Sequence, residues 1–307
     1  MPLLGSRRAG TENKRPPSVA RVPVPLFPEC SNPACSSGRL HLWRHRSTPV
    51  FEGGWVCSPE CMLSRIQQAL GRELEGHGRP REAHRHRIPL GLILLEQGWI
   101  THAQLKQALA AKRWGEPYRI GAWLMRHCGL TEQRVTQALS LQWNCPVFTG
   151  EPDPALLALA PIPRILLDAW GVVPLRSGPS GLLYLAWEDR IDHALILAIE
   201  RMTGRRVEAG LLGGSEFRRC RERVLAANFP RTRLLEAVSA EALGPSLARI
   251  VEKAQAAEAR LVRVDRFFWL RLWQEPGGPS SAQGILSPSQ LISYPAEDVV
   301  CSLAIAG

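Results

Sequence analysis

The sequence predicts an α+β fold in three successive parts: a small cysteine-bearing module, a helical tandem-repeat subdomain and a small α+β subdomain. Three observations predict it. Two close cysteine pairs, Cys30 with Cys35 and Cys57 with Cys61, stand near the front of the chain. Between Ile88 and Trp143 one pattern of apolar, Gly, Thr and Gln positions occurs twice in the same order and without a gap, Leu90-Gly91 returning as Ile120-Gly121 and Gln107-Ala108-Leu109 as Gln137-Ala138-Leu139. After Asn144 the texture changes to short β-type runs (WGVVPLR, GLLYLAWED, GRRVEAGLL) set between amphipathic helices.

Composition bounds the answer. A chain of 307 residues with 45% hydrophobic and 21% charged residues is an ordinary globular chain, which excludes disordered and fibrous classes. The opening MPLLGSRRAGTENKRPP lacks an apolar core of signal-peptide length, and the run around IPLGLILL is far short of a membrane span. A cytoplasmic protein, not an integral membrane one, is therefore expected. The net charge of +10 is uneven: residues 1–87 hold 14 Lys+Arg against 7 Asp+Glu, the rest 24 against 21. A basic front end suits nucleic acid, an acidic partner or an anionic membrane surface. Yet only four of the 38 cations are Lys, a bias that a GC-rich genome alone produces. With no aromatic or helical base-reading pattern, nucleic acid is the least favoured partner.

Residues 1–24 read as a disordered tail, rich in Arg, Pro, Gly and Ser. Residues 25–75 form the cysteine module. Four residues separate Cys30 from Cys35 and three separate Cys57 from Cys61, so each short loop can turn two thiolates onto one tetrahedral ion. Zinc is the expected occupant. The alternatives are two disulfides, disfavoured in a reducing compartment, or four unrelated thiols, with His41 and His45 as alternate ligands. Four thiolates leave no open position, so the site is expected to be structural. Ser58 is expected to cap a helix with Pro59 at its first position and Glu60 in its first turn, which puts Cys61 near a helix N-terminus. The arrangement resembles a treble clef or zinc ribbon. Trp43 and Trp55 on an intervening hairpin, with Met62, Leu63 and Ile66 on the helix, make a core too small to hold without metal. Residues 76–87, GHGRPREAHRHR, read as a basic linker.

Residues 88–148 carry the repeat. In each copy a short apolar helix leads through a turn to a second helix, capped by Thr101 or Thr131. Thr101 with Gln104 makes a capping box, whereas Thr131 is followed by Glu132, which suits the helix dipole but lacks the reciprocal side chain. Leu105, Ala108 and Leu109, and likewise Val135, Ala138 and Leu139, fall at i, i+3 and i+4, one apolar face each. Two such hairpins make a four-helix unit.

Residues 149–229 read as the α+β subdomain: helical pieces near 154–169, two strands joined by a turn at Ser177–Gly181, a helix from Ile191 to Met202 ended by Gly204, a third strand, and a helix from Ser215 to Ala227. Residues 230–307 read as a C-terminal remnant. It has a helix from Ser246 to Ala259 after a Gly244-Pro245 break, one strand in LVRVDRFFWLRLW whose apolar residues slip from face to face, and a loop beyond Gln274. No catalytic constellation stands out. Glu188, Asp189, Asp192 and His193 sit where acids act as helix caps, and Cys128, Cys145, Cys220 and Cys301 read as buried small hydrophobes.

The segment from Ile88 to about Ala227 resembles the N-terminal domain of type II secretion and type IV pilus assembly ATPases, the GspE N-terminal or MshE-type family. That family carries a tandem pattern of Arg-Leu-Gly, spaced Leu positions, a Gly and a closing Gln, and in some members the pair binds cyclic di-GMP. The first copy keeps Leu90, Gly91, Leu94, Gly98, Leu105 and Leu109, but has Pro89 in place of Arg and Lys112 in place of Gln. The second keeps Arg119, Gly121, Leu124, Leu139 and Gln142, with Ile120 and Val135 as conservative replacements and Cys128 in place of Gly. The resemblance implies a cyclic di-GMP site in which these residues contact the nucleotide, the second copy carrying more of the recognition. Physically, Gly admits close backbone approach, Arg119 can stack on guanine or fork two hydrogen bonds to its edge, and Gln142 can pair with a base edge. The same Leu, Ile, Ala and Gly positions would equally serve the core of any helical hairpin.

The ATPases need a glycine-rich phosphate loop, and these residues contain no Gly-Lys dipeptide. The expected function is thus non-enzymatic: a regulatory or adaptor protein that responds to cyclic di-GMP, with protein components of a secretion or pilus machine as partners. The alternatives are an interaction module that no longer binds the nucleotide, and a zinc-dependent nucleic-acid-binding protein.

Overall fold

A computed structural model describes residues 29–36, 50–76, 87–113, 119–154, 156, 162–178, 181–274 and 296–303. The expected tail, Trp43, His41, His45, most of the linker and the loop after Gln274 lie outside the described residues. The described part is a mixed helix and sheet fold, α+β as expected.

The helical repeat forms where its caps specify. Helices α2 (Leu90–Glu96), α3 (His102–Arg113), α4 (Ile120–Cys128) and α5 (Glu132–Trp143) follow α1 (Pro59–Glu75) in the cysteine module. The capping box is present: Thr101 N–H donates to Gln104 Oε1 at 2.8 Å, and Gln104 N–H donates to Thr101 Oγ1 at 3.3 Å. In the second copy Thr131 Oγ1 accepts from Arg134 N–H, while Glu132 reaches away to accept from the N–H and hydroxyl of Ser215, 2.9 and 2.7 Å off. The hairpins interlock, α2 on α5 and α3 on α4, with α2 against α4 at the centre.

The α+β subdomain has α6 (Arg164–Trp170), β3 (Val172–Ser177), β4 (Leu183–Trp187), α7 (His193–Thr203), β5 (Val207–Leu211) and α8 (Gly214–Leu225). Its sheet runs β3-β4-β5, antiparallel then parallel, and α7 makes the crossover that a parallel pair requires. Asp192 caps α7 by accepting from Leu195 N–H at 2.9 Å, the capping role expected for that acid.

The C-terminal region differs from the expectation. Residues 258–273 form two strands, β7 (Glu258–Val264) and β8 (Phe267–Trp273), joined by a two-residue turn with Asp265 at φ 53°. That turn is the slip of apolar parity: it moves the phase by one, as a hairpin must. The expected break at Gly244-Pro245 falls inside α9 (Ala240–Ala254), which starts earlier because Ser239 caps it through Ala242 N–H. Pro245 sits in the second turn, where the helix loses one backbone bond. Gly244 is buried against α1, and a Cβ there would lie 3.2 Å from Gln67 Cγ. Two further strands, β6 (Thr232–Ala237) and β9 (Ala296–Leu303), complete the sheet.

The larger sheet has six strands in the order β2-β1-β7-β8-β9-β6, where β1 (Val50–Phe51) and β2 (Gly54–Trp55) come from the cysteine module. β1 lies parallel to β7, with Val50 N–H on Ala257 O at 2.8 Å and Glu52 N–H on Ala259 O at 2.9 Å. The alternation of the strands sorts the faces. Ala259, Leu261, Phe268, Leu270, Leu272, Val299 and Cys301 share a core with Phe51, Met62 and Ile66 of the cysteine module and Leu243, Leu247 and Val251 of α9. Val262, Val264, Trp269 and Val300 turn the other way, into the core of the repeat and the α+β subdomain.

One carboxylate ties the layers. Glu73, on α1 and 2% exposed, takes a bidentate pair from Arg201 of α7, a contact from Arg72, and the backbone N–H of Arg263 on β7 at 3.2 Å. Burial pushes its carboxyl up, but the Arg201 guanidinium, the Arg263 N–H and Arg72 together hold it below the usual range. Glu73→Gln is expected to cost about 2 kcal/mol in urea unfolding at neutral pH. A folded value below the unfolded one gives stability present above the unfolded pKa of about 4.3 and lost as pH falls through the folded value. The gap between wild type and Glu73→Gln should therefore close in acid; a pH-independent gap would contradict the assignment.

Candidate functional site

The first candidate is the cysteine cluster. The sulfurs of Cys30, Cys35, Cys57 and Cys61 all lie within 4.8 Å of one another. Cys35 Sγ is 3.5 Å from Cys57 Sγ, which is 3.7 Å from Cys61 Sγ. A disulfide would bring two sulfurs to ~2 Å; four thiolates at ~2.3 Å from one tetrahedral ion stand ~3.8 Å apart. The spacing fits a metal ion, and none of the four cysteines is in a disulfide. Cys57 ends the strand-side segment and Cys61 sits in the first turn of α1, where Ser58 Oγ accepts from Cys61 N–H at 3.2 Å and Pro59 leads the helix. Burial, then the thiols of Cys35, Cys30 and Cys61, push the Cys57 thiol up to about 12. The Cys57 thiol thus keeps its proton unless a cation replaces it.

Sequence reasoning missed Asn32, 6% exposed at the centre of the first knuckle. Its signal was present in the Asn-Pro of CSNPAC, a turn pair. Asn32 O accepts from Cys35 N–H at 3.0 Å, which closes the turn that brings Cys35 round.

The second candidate is the repeat. Leu94 and Leu124 are fully buried, Gly91, Gly121, Leu105 and Leu139 are buried, Leu90, Ile120 and Gln142 are half-buried, and Leu109, Gly98 and Arg119 are exposed. The two glycines occupy reciprocal positions. A Cβ on Gly91 would lie 2.5 Å from Leu105 Cδ1 and 3.4 Å from Ile120 Cδ1; one on Gly121 would lie 2.9 Å from Val135 Cγ1 and 3.6 Å from Leu90 Cδ2. Each glycine lets its helix close on its own hairpin and on the other copy.

Two departures from the tandem pattern have physical reasons. Gly98 turns the chain at φ 66°, and in the second copy α4 runs two residues further than α2, so Gly129 turns at φ 67° and Cys128 stays helical. Pro89 and Arg119 share one backbone conformation, φ −57° with ψ 136° and φ −68° with ψ 147°, which proline satisfies without strain.

The polar residues meet at the junction with the α+β subdomain. The Arg119 guanidinium, three-quarters exposed, pairs with the Asp189 carboxylate. Asp189 O accepts from Trp143 Nε1 at 2.9 Å, and the Arg87 guanidinium stacks on the Trp143 ring at 3.4 Å. Gln142 Nε2 donates to Ile88 O at 2.7 Å. The structure thus brings Arg119 and the Gln142–Trp143 end of α5 to one junction. Trp143, Arg87 and Asp189 were missed as neighbours because they come from three different parts of the chain, the linker, the repeat and the α+β subdomain, and no local pattern joins them.

No helix of the described residues is long and apolar enough to cross a membrane. No family model matches the chain, and no curated protein matches it. Among solved structures, one described as MshE with cdg is 22% identical, covering 45% of this chain and 99% of that one, with a TM-score of 0.38. The N-terminal domain of XpsE is 20% identical in each of two crystal forms. One match covers 44% of this chain and 92% of that one with a TM-score of 0.32, the other 48% and 98% with 0.27.

Proposed function

We propose that this chain is a non-enzymatic, cytoplasmic regulatory or adaptor protein related to secretion and pilus assembly ATPases. In this reading its tandem repeat responds to cyclic di-GMP, and Cys30, Cys35, Cys57 and Cys61 hold a structural zinc. The observation that carries the reading is Arg119. Its guanidinium stands three-quarters exposed at the head of α4, held by a surface carboxylate on the neighbouring subdomain. A surface pair of this kind contributes little to stability, so a phosphate or guanine edge can take over the guanidinium at small cost. Exchange of Asp189 for ligand would then alter the junction between repeat and α+β subdomain, which is how a bound nucleotide would be reported to a partner.

Leu90, Gly91, Leu94, Gly98, Leu105 and Leu109 of the first copy, and Ile120, Gly121, Leu124, Leu139 and Gln142 of the second, would complete the site. Calorimetric titration of the full chain with cyclic di-GMP should give binding that Arg119→Ala weakens by about 10- to 100-fold, the worth of one forked charged contact. Absence of heat, or equal affinity in Arg119→Ala, would sink the nucleotide reading.

A second reading is an interaction module without the nucleotide. The glycines favour it, since the space above each is filled by the repeat's own Leu105, Ile120, Val135 and Leu90. So do the exposed apolar Ile88, Leu92, Leu109 and Leu141, each about half open to solvent. Recovery of secretion or pilus components in equal yield by wild type and Arg119→Ala, alongside a silent titration, would select it.

A further inference from the structure

We propose that Asn32 is the positioning residue of the four-cysteine centre: its side-chain amide donates to the Cys61 sulfur and governs how tightly the four thiolates hold the ion. The inference rests on the metal reading above and extends it to a residue that is not a ligand.

Asn32 is the most enclosed polar side chain of its loop, and both polar atoms of its amide are engaged. Nδ2 lies 3.3 Å from Cys61 Sγ. Oδ1 accepts from Ala34 N–H at 3.2 Å, from Ser64 Oγ at 3.2 Å and from Gln68 Nε2 at 3.5 Å. The orientation of the amide follows from chemistry: a backbone N–H can only donate, so the oxygen must face Ala34, and the NH2 is left for the sulfur. Cys61, Ser64 and Gln68 stand at i, i+3 and i+7 on one face of α1. That face therefore presents a ligand and two supports for the group that steadies it.

Four thiolates around a divalent ion leave a surplus of negative charge in a half-buried site. A donor aimed at one sulfur offsets part of it, as a charge-assisted hydrogen bond, and fixes the direction from which that sulfur approaches the ion. Asn32 also spans the two halves of the centre, because its backbone carbonyl turns Cys35 while its amide meets Cys61 on the helix. Partners of this kind are worth about 10- to 100-fold in metal affinity.

The test uses the full chain, loaded with zinc or cobalt, in wild type, Asn32→Ala and Asn32→Ser. Serine can keep the turn contact to Ala34 N–H through its hydroxyl but cannot at the same time supply the amide donor. Both variants are expected to keep the far-ultraviolet dichroism of the wild type and to lose about 10- to 100-fold in zinc affinity by chelator competition. Both should also shift the sulfur-to-cobalt charge-transfer band to longer wavelength. If Asn32→Ser matches wild type while Asn32→Ala is weakened, the turn and not the N–H···S contact matters, and the proposal is overturned. Equal affinity in all three overturns it too. A wild type that binds neither metal removes the metal reading itself, a result distinct from either.

Discussion

Stripping the proposed zinc from the four-cysteine centre, by chelator or by Cys61→Ser, is expected to unfold much more than the two knuckles. The hairpin of β1 and β2 has only two residues per strand and cannot persist alone. The centre holds it, and the hairpin in turn closes the edge of β7 through Val50 and Glu52. The same centre anchors the first turn of α1, whose Met62, Ile66 and Leu70 share a core with Leu243, Leu247 and Val251 of α9 and with the sheet. Structural zinc contributes about 10–16 kcal/mol in small modules, comparable to the ~5–15 kcal/mol that stabilises a typical domain.

Metal loss should therefore remove α1, β1 and β2 from the sheet, expose the β7 edge, and lower the first thermal transition by about 10 °C or more. The helical repeat, whose Leu94, Leu124 and Ala138 lie in the other core, should melt in a later transition that chelator leaves unmoved. Hydrogen exchange would locate the loss in α1, α9 and β7, and the bare edge should promote association. Cys128→Ser, half-buried on α4 and outside this core, serves as control. A single transition indifferent to chelator and to Cys61→Ser would refute this coupling.

Which parts of this fold were legible in the sequence follows from how far apart the interacting residues are. Ser58-Pro59, the box of Thr101 and Gln104, and the Asp192 cap each complete their bonds within about one helical turn, so the residues alone announce them. The repeat revealed the hairpins because each copy needs the same apolar face, Leu105 and Ala108 in one and Val135 and Ala138 in the other. β6 and β9 were not legible: they pair with each other although β7 and β8 lie between them in the chain, and TRLLEA has no alternation that a local window would detect. The union of α1 with α9 is likewise a contact between the two ends of the chain, signalled only by Gly244, which reads as a break until the helix it packs against is known. At the candidate site, the four cysteines and Arg119 were legible as chemical types. Asn32 and Asp189 were not, since an amide in a loop and an acid in a turn are explained by local structure until a sulfur or a guanidinium is found beside them.

Arg271→Ala is expected to destabilise the chain by about 3–5 kcal/mol, among the largest effects of any single substitution outside the four-cysteine centre. Arg271 on β8 and Asp298 on β9 are direct cross-strand partners, 5% and 0% exposed. Nε and Nη2 of the arginine meet the two carboxylate oxygens at 2.7 Å each, and Trp269 Nε1 donates to Asp298 Oδ1 at the same distance. Every bond is short and the pair is forked, so the Coulomb gain offsets a heavy desolvation cost only while both partners stand. Truncating the arginine leaves Asp298 charged and buried with the indole N–H among its remaining donors. Asp298→Asn should cost less, because the amide oxygen can still accept from Trp269 and from the arginine. The double variant Arg271→Leu with Asp298→Asn should recover part of the loss, since no charge is left buried without its partner and the Asn oxygen can still accept from Trp269 Nε1. A double-mutant cycle in urea isolates the coupling. Singles within about 1 kcal/mol of wild type, or a double worse than Arg271→Ala alone, would mean that the pair is not what binds β8 to β9.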